Sequence, residues 1–212
     1  MKATPKLTLL VVGIAGLLAI LAALFLRSRG WNSNAIASRG GEAFQHFPVI
    51  ETPAYLQRDK AWEADRIGGT GETLGRVGCT VCCLAMGLAH FGIQKTPGEL
   101  NEWLKTHEGY SPRGWLRWES VSKLTAGKIH VDFRAPLKHE TIDAALKARQ
   151  PVLAKVFINR VITHWVLVVG KEGAEYVVQD PLGGGGKPEL LSRYSSGVHA
   201  IRILKTSDWR SP

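Results

Sequence analysis

Cysteine is scarce in this chain of 212 residues, and its distribution excludes several kinds of protein. The three cysteines, Cys79, Cys82 and Cys83, fall within five residues, and neighbours this close bridge only with strain, which excludes a disulfide framework. Cys79 and Cys82 form a C-x-x-C, but no second C-x-x-C or H-x-H set completes a zinc site. The G-x-x-x-x-G-K-[ST] phosphate loop is also missing, and the sequence implies no metal and no organic cofactor.

Runs of lysine and arginine are absent, although the net charge is +9. No recognised nucleic-acid-binding motif accompanies the charge, so we do not expect a nucleic-acid partner. The excess of positive charge suits contact with anionic lipid or with an anionic cell envelope. Solubility alone explains it equally well, and the sequence does not distinguish the two.

One long segment has no charge at all. Residues 7–26 are almost wholly Leu, Ala, Val, Ile and Gly, and twenty such residues in a helix span about 30 Å, the thickness of the hydrocarbon layer. A cleaved signal peptide has a shorter apolar core followed directly by its cleavage site, whereas the small-x-small sequence at 35–37 lies well beyond the run. The sequence therefore predicts an uncleaved transmembrane anchor. Its orientation is open, because the positive-inside rule gives a tie between Lys2 and Lys6 on one side and Arg27, Arg29 and Arg39 on the other.

The composition predicts five segments along the chain. Residues 27–50 are rich in Gly, Ser, Asn and Arg without periodicity, which is typical of a tether. The segments are an N-terminal tail at 1–6, the anchor at 7–26, the tether at 27–50, a folded domain at 51–206 and a C-terminal tail at 207–212.

Helical patterns precede strand patterns in the predicted domain. The first is a buried apolar helix over 79–91, and the second opens at Thr96 with a capping box and with Pro97 at its first position. Further helices are predicted over 118–126 and 140–149. Strands are predicted over 129–133, 151–158, 163–169, 175–179 and 198–204. This order predicts an α+β fold with helices packed on an antiparallel sheet.

Cys79 is the candidate nucleophile. It follows Gly78 at the start of the buried helix, and the dipole and free N–H groups of a helix start lower the pKa of a thiol. Cys82 and Cys83 lie one turn further along and are interpreted as core cysteines.

His164 and Asp180 are the candidate base and orienting acid, since a catalytic thiol needs both. If residues 171–173 form a hairpin loop, counting back by twos places His164 opposite Asp180, about 5 Å apart at Cβ. Taken singly, Asp180 could be a turn residue and His164 a core histidine. Taken together with Cys79, the register favours a catalytic pair.

Short motifs occur in order along residues 55–204: Gln57-Arg58-Asp59-Lys60-Ala61-Trp62, Gly78-Cys79 with Ala85-Met86, Thr96-Pro97 with Glu99-Leu100, Pro151-Val152, His164-Trp165-Val166 and Asp180-Pro181. Together they resemble the papain-like cysteine peptidase family 39, the bacteriocin-processing peptidases and their stand-alone relatives. The resemblance implies a papain-like fold, with Cys79 as nucleophile, His164 as base, Asp180 as orienting acid and Gln57 as oxyanion-hole donor. Two features depart from the processing peptidases: Gln57 lies 22 residues before Cys79 instead of a few, and no transporter or ATP-binding segment is present.

The expected protein is a single-pass membrane-anchored cysteine peptidase that cleaves a peptide or protein substrate. Likeness to stand-alone relatives that resemble envelope proteins favours a domain outside the cytoplasm. Two alternatives stay open, a non-catalytic papain-like module that binds peptide or envelope polymer, and a thiol-based metal or redox protein. The sequence does not indicate an oligomeric state.

Overall fold

The computed structural model of the chain describes residue 14 and residues 16–23, 34–45 and 49–207. The chain divides into two compact units, Met1–Asn34 and Ala35–Pro212. The predicted tails at 1–6 and, apart from Ser207, at 207–212 lie outside the described residues, as does more than half of the predicted anchor.

The predicted transmembrane helix over 7–26 is contradicted. Residues 16–23 are helical, but in the part of the chain that the structure describes no helix has the length and apolar character needed to cross a membrane. A spanning helix needs about 20 residues, more than this described stretch provides. The transmembrane element of the predicted fold and the single-pass membrane localisation are therefore corrected by this finding.

The helices of the second unit pack against a sheet. Over the described residues they are α1 Leu74–Val77, α2 Cys79–His90, α3 Pro97–Thr106, α4 Ser120–Leu124 and α5 His139–Lys147. The predicted start of α3 is confirmed, because Thr96 N–H donates to Glu99 Oε2 at 2.8 Å and Thr96 Oγ1 accepts from Glu99 N–H at 3.3 Å. Single-turn 3₁₀ helices occur at Gly184–Gly186 and Leu191–Arg193.

The strands form one antiparallel sheet, which confirms the α+β architecture. Those described are β1 Arg39–Phe44, β2 Ile129–Asp132, β3 Val152–Ile158, β4 Ile162–Gln179, β5 Glu189–Leu190 and β6 Ala200–Thr206. Their order is β1-β4-β3-β6-β2, and β5 also pairs with β4. In the middle of the sheet Val152, Ala154 and Val156 of β3 are fully buried, as are Ile142 and Leu146 of α5.

β4 folds back on itself. His164 and Asp180 are 16 positions apart in sequence, which would place them about 50 Å apart in a straight strand, yet their side chains are 2.7 Å apart. The reversal falls near Gly173, whose φ of 56° lies in the left-handed region that glycine adopts without strain. The two strands predicted over 163–169 and 175–179 thus belong to one continuous element with a turn inside it.

Part of the segment predicted as a tether at 27–50 forms a strand, β1 at Arg39–Phe44. β1 pairs with β4 through a bulged register, and Ile36 forms an antiparallel bridge with Val198. Gly41 serves close packing here, because a Cβ at this position would overlap Asp143 Oδ2. Glu42 N–H also donates to that oxygen at 2.8 Å. The glycines that made the segment look unstructured are therefore the residues that let it approach α5.

Candidate active site

Cys79 begins α2, and the position directly before it has no room for a side chain. Gly78 separates α1 from α2, and a Cβ at Gly78 would come within 2.5 Å of the Leu74 carbonyl oxygen. The N–H groups of the first helical turn lack partners within the helix and point toward the space beyond its start. The side chain of Cys79 is 7% exposed, so the thiol lies at the edge of the core.

Cys82 and Cys83 lie deeper and are fully buried. Burial raises the pKa of both thiols well above the ordinary value, and the neighbouring Cys79 raises each further. Cys83 Sγ donates to the Trp165 carbonyl at 3.3 Å. Both are protonated core thiols, in agreement with the interpretation made from the sequence.

His164 and Asp180 form a buried hydrogen-bonded pair, the neighbour relation that the hairpin register predicted. His164 Nε2 lies 2.7 Å from Asp180 Oδ1, and both residues are 2% exposed. The Leu182 N–H donates to the same oxygen at 2.8 Å. Nε2 is occupied by the acid, which leaves Nδ1 as the ring nitrogen available to Cys79, whose side chain also hydrogen-bonds to His164.

The electrostatics of the pair favour its charged form. Burial pushes the pKa of His164 down, but hydrogen bonds to Asp180 and Cys79 and the charges of both outweigh it and raise the pKa to about 9. Burial pushes the pKa of Asp180 up, but the bonds from His164, Tyr194 and Leu182 N–H outweigh it and lower the pKa. At neutral pH His164 is therefore an imidazolium and Asp180 is a carboxylate.

Gln57 makes one hydrogen bond beside Asp180 and another in the helix that precedes Cys79. Its N–H donates to the Pro181 carbonyl at 2.8 Å, next to Asp180, and its Nε2 donates to the Gly75 carbonyl at 3.1 Å, one turn before Cys79. The side chain is 3% exposed, and Oε1 is buried without a hydrogen-bond partner among the described residues. One of the two Nε2 hydrogens is thus engaged, which leaves the other for a further acceptor.

Tyr194 also contacts the site and was not predicted. Its hydroxyl donates to Asp180 Oδ2 in a short hydrogen bond, and its ring lies 5.9 Å from that of His164. The residue follows a single turn of 3₁₀ helix, where neither hydrophobic periodicity nor a motif marks it. Only the observation that Asp180 Oδ2 needs a donor could have led to it.

The described part of the chain contains no group of three or more His, Cys, Asp or Glu side chains arranged to hold a metal ion. The site is built from one thiol, one imidazole, one carboxylate and one amide.

A family model, the Peptidase C39 family, matches residues 76–194, more than half of the chain. The chain belongs to this family. The resemblance inferred from the motifs is confirmed, and this C39 member is a papain-like cysteine peptidase, so its substrates are peptides or proteins. Cys79, His164 and Asp180 fall inside the matched residues, whereas Gln57 precedes them.

A solved structure supports the same fold for this C39 peptidase. The crystal structure of a protein assigned as a C39-like peptidase from Bacillus anthracis is similar to it with a TM-score of 0.52 and 16% identity. The match covers 77% of this chain and 97% of the other. At that identity the likeness concerns the fold alone. A search of curated proteins finds no match.

Proposed function

We propose that this C39 peptidase hydrolyses peptide or amide bonds through a Cys79–His164–Asp180 triad, with Gln57 as a donor to the oxyanion. The observation that carries the proposal is the buried 2.7 Å bond between His164 and Asp180 on a histidine whose pKa Cys79 also raises. A histidine held on one nitrogen by an acid and facing a thiol with the other is the arrangement that activates a cysteine nucleophile.

The reaction has two halves. In the resting site the proton of Cys79 is held on His164 Nδ1, which makes the ring an imidazolium. The thiolate sulfur bonds to the substrate carbonyl carbon, and His164 gives the proton to the leaving amine as the C–N bond breaks. Water then gives a proton to the neutral His164, its oxygen attacks the thioester carbon, and the C–S bond breaks to release the acid and restore the thiolate and the imidazolium. Asp180 keeps the ring oriented and stabilises the imidazolium in each half.

The negative oxygen of each tetrahedral intermediate needs hydrogen-bond donors. The start of α2 supplies backbone N–H groups beside the sulfur, and Gln57 supplies the Nε2 hydrogen that Gly75 does not occupy. Gln57 is fixed at both its main chain and its side chain, which supports a role as a preorganised donor.

Iodoacetamide labelling at mildly acidic pH, with the modified residue mapped by mass spectrometry, tests the nucleophile. We expect modification of Cys79 alone, because burial keeps Cys82 and Cys83 protonated. A parallel assay on a mixed peptide library should lose all cleavage in Cys79→Ala and keep it in the matched buried variant Cys83→Ala. Preferential labelling of Cys83, or cleavage by folded Cys79→Ala, contradicts the proposal. Labelling without any cleavage points to a peptide-binding module.

A further inference from the structure

Both carboxylate oxygens of Asp180 accept hydrogen bonds from protein groups, and the residue is buried away from water. Oδ1 accepts from His164 and from the Leu182 N–H, as described above, and Oδ2 accepts from the Tyr194 hydroxyl. Asp180 is 2% exposed and Tyr194 is 9% exposed. A buried carboxylate can rotate about its last bond unless both oxygens are held, so the Tyr194 hydroxyl decides where the oxygen facing His164 lies.

Tyr194 is itself held by the N-terminal segment of the domain. Its carbonyl accepts from Ser38 Oγ at 2.5 Å, and its N–H donates to Leu191 O at 3.0 Å. Two residues before Ser38, Ile36 exchanges two backbone hydrogen bonds of 3.0 and 2.8 Å with Val198. Residues 36–38 therefore lie along the 194–198 loop and fix it from outside the site.

We infer that Tyr194 is a positioning residue that orients the Asp180 carboxylate toward His164, and that residues 36–38 hold Tyr194 in the place where it does so. The inference rests on the proposed triad. It gives the N-terminal segment a part in catalysis, through a path of contacts from Ser38 to Tyr194, Asp180 and His164.

Other charged or titratable groups face the pair from each neighbouring element. Arg193 Nη1 lies 3.9 Å from Asp180 Oδ2, but Arg193 also makes a close ion pair with Glu189 and its side chain is 47% exposed. From α2, Cys79 faces His164 and Cys83 interacts with Asp180. None of these supplies a neutral donor to Oδ2, and Arg193 is too distant for a hydrogen bond. Removal of the Tyr194 hydroxyl therefore leaves Oδ2 without one.

Tyr194→Phe in the full chain tests the role. We expect kcat/KM to fall by about tenfold, mainly in kcat, because a hydrogen bond to a buried charge is lost while the substrate-contacting groups remain. A less firmly held carboxylate stabilises the imidazolium less, so the basic limb of the pH profile should move to lower pH by about half a unit.

Tyr176→Phe is the matched control. Tyr176 is another buried tyrosine, and its hydroxyl donates to the carboxylate of Asp143 at 3.0 Å, outside the site. It should lower the unfolding midpoint and leave the pH profile of kcat/KM unchanged. If Tyr194→Phe keeps the parental profile, or changes it no more than Tyr176→Phe does, the positioning role is wrong. The triad itself is judged by Cys79→Ala, so the two failures are distinguishable.

Ser38→Ala tests the contact between residues 36–38 and Tyr194. We expect a smaller shift of the basic limb in the same direction, and no further shift when the change is made in the Tyr194→Phe background. A Ser38→Ala shift that adds in full to that of Tyr194→Phe would show that the segment acts by another path. An unchanged profile in Ser38→Ala would remove residues 36–38 from the inference.

Discussion

Replacing Asp180 by asparagine removes one negative charge and keeps one acceptor oxygen in a buried site. The amide oxygen can take the place of Oδ1, which accepts from His164 and the Leu182 N–H. The amide nitrogen then faces the Tyr194 hydroxyl, which can rotate and accept instead of donate. The geometry of the ring is thus preserved, and the charge is the main property that changes.

The size of the effect follows from the pKa of His164. Hydrogen bonds and charges raise this pKa from 6.5 to about 9, a shift that corresponds to about 3 kcal/mol. At pH 7 the ring is then about 99% imidazolium. If the loss of the Asp180 charge returned the pKa to 6.5, about a quarter of the rings would stay charged at pH 7, whereas at pH 5.5 about 90% would.

We therefore expect two components in the loss of kcat/KM. A neutral acceptor in place of a charged one costs about tenfold at every pH. Protonation of the ring adds up to about fourfold at neutral pH and almost nothing at pH 5.5. The basic limb should thus move to lower pH, because a raised histidine pKa is what keeps the imidazolium present up to about pH 9.

The assay is the pH profile of kcat/KM between pH 5 and 10 for the parent, Asp180→Asn, His164→Ala and Cys79→Ala. The last two remove the proton carrier and the nucleophile, so they should lose far more than Asp180→Asn. If folded Asp180→Asn is as inactive as Cys79→Ala, or if its basic limb coincides with the parental one, Asp180 does not stabilise the imidazolium as we reason.

Two predictions concern stability. Asp143→Asn should lower the free energy of unfolding by about 3 kcal/mol in chemical denaturation, because it leaves the buried Lys171 ammonium, 2.6 Å from Asp143 Oδ1, without its counter-charge. The matched change Glu42→Gln breaks an exposed ion pair and should cost less than about 1 kcal/mol; equal costs would contradict the reasoning. Deletion of residues 1–34 should leave the unfolding midpoint unchanged, since the second unit begins at Ala35, whereas deletion of 1–45 removes β1 and should lower it. Equal midpoints for the two deletions would mean that β1 contributes no stability.

Features fixed by near neighbours were predictable from the sequence. The start of α3 depends on a side chain and an N–H three residues apart, so Thr96 and Glu99 were sufficient to locate it. The proximity of His164 and Asp180 depends on one turn between them, which the spacing around Gly173 indicated. The predicted helix over 118–126 was too long, because Ser120–Leu124 forms only a single turn between loops.

Features fixed by distant parts of the chain were not predictable in this way. β1 has no periodic pattern, because Gly40 and Gly41 allow close contacts with His139 and Asp143, which lie in a helix far along the chain. Tyr194 bonds to Asp180 from a loop, and Gln57 reaches both Gly75 and Pro181 through the fold. The apolar run at 7–26 matched a membrane span in composition, but the described helix is too short to support one.

The reversal inside β4 has a consequence for the order in which the protein assembles. His164 and Asp180 are 16 positions apart, whereas Cys79 and His164 are 85 positions apart. The entropy lost on closing a loop grows with its length, so the base and the acid meet at a smaller entropic cost than the thiol and the base do. The contact between base and acid therefore depends on the turn inside β4, whereas the contact between thiol and base depends on the packing of α2 against the sheet.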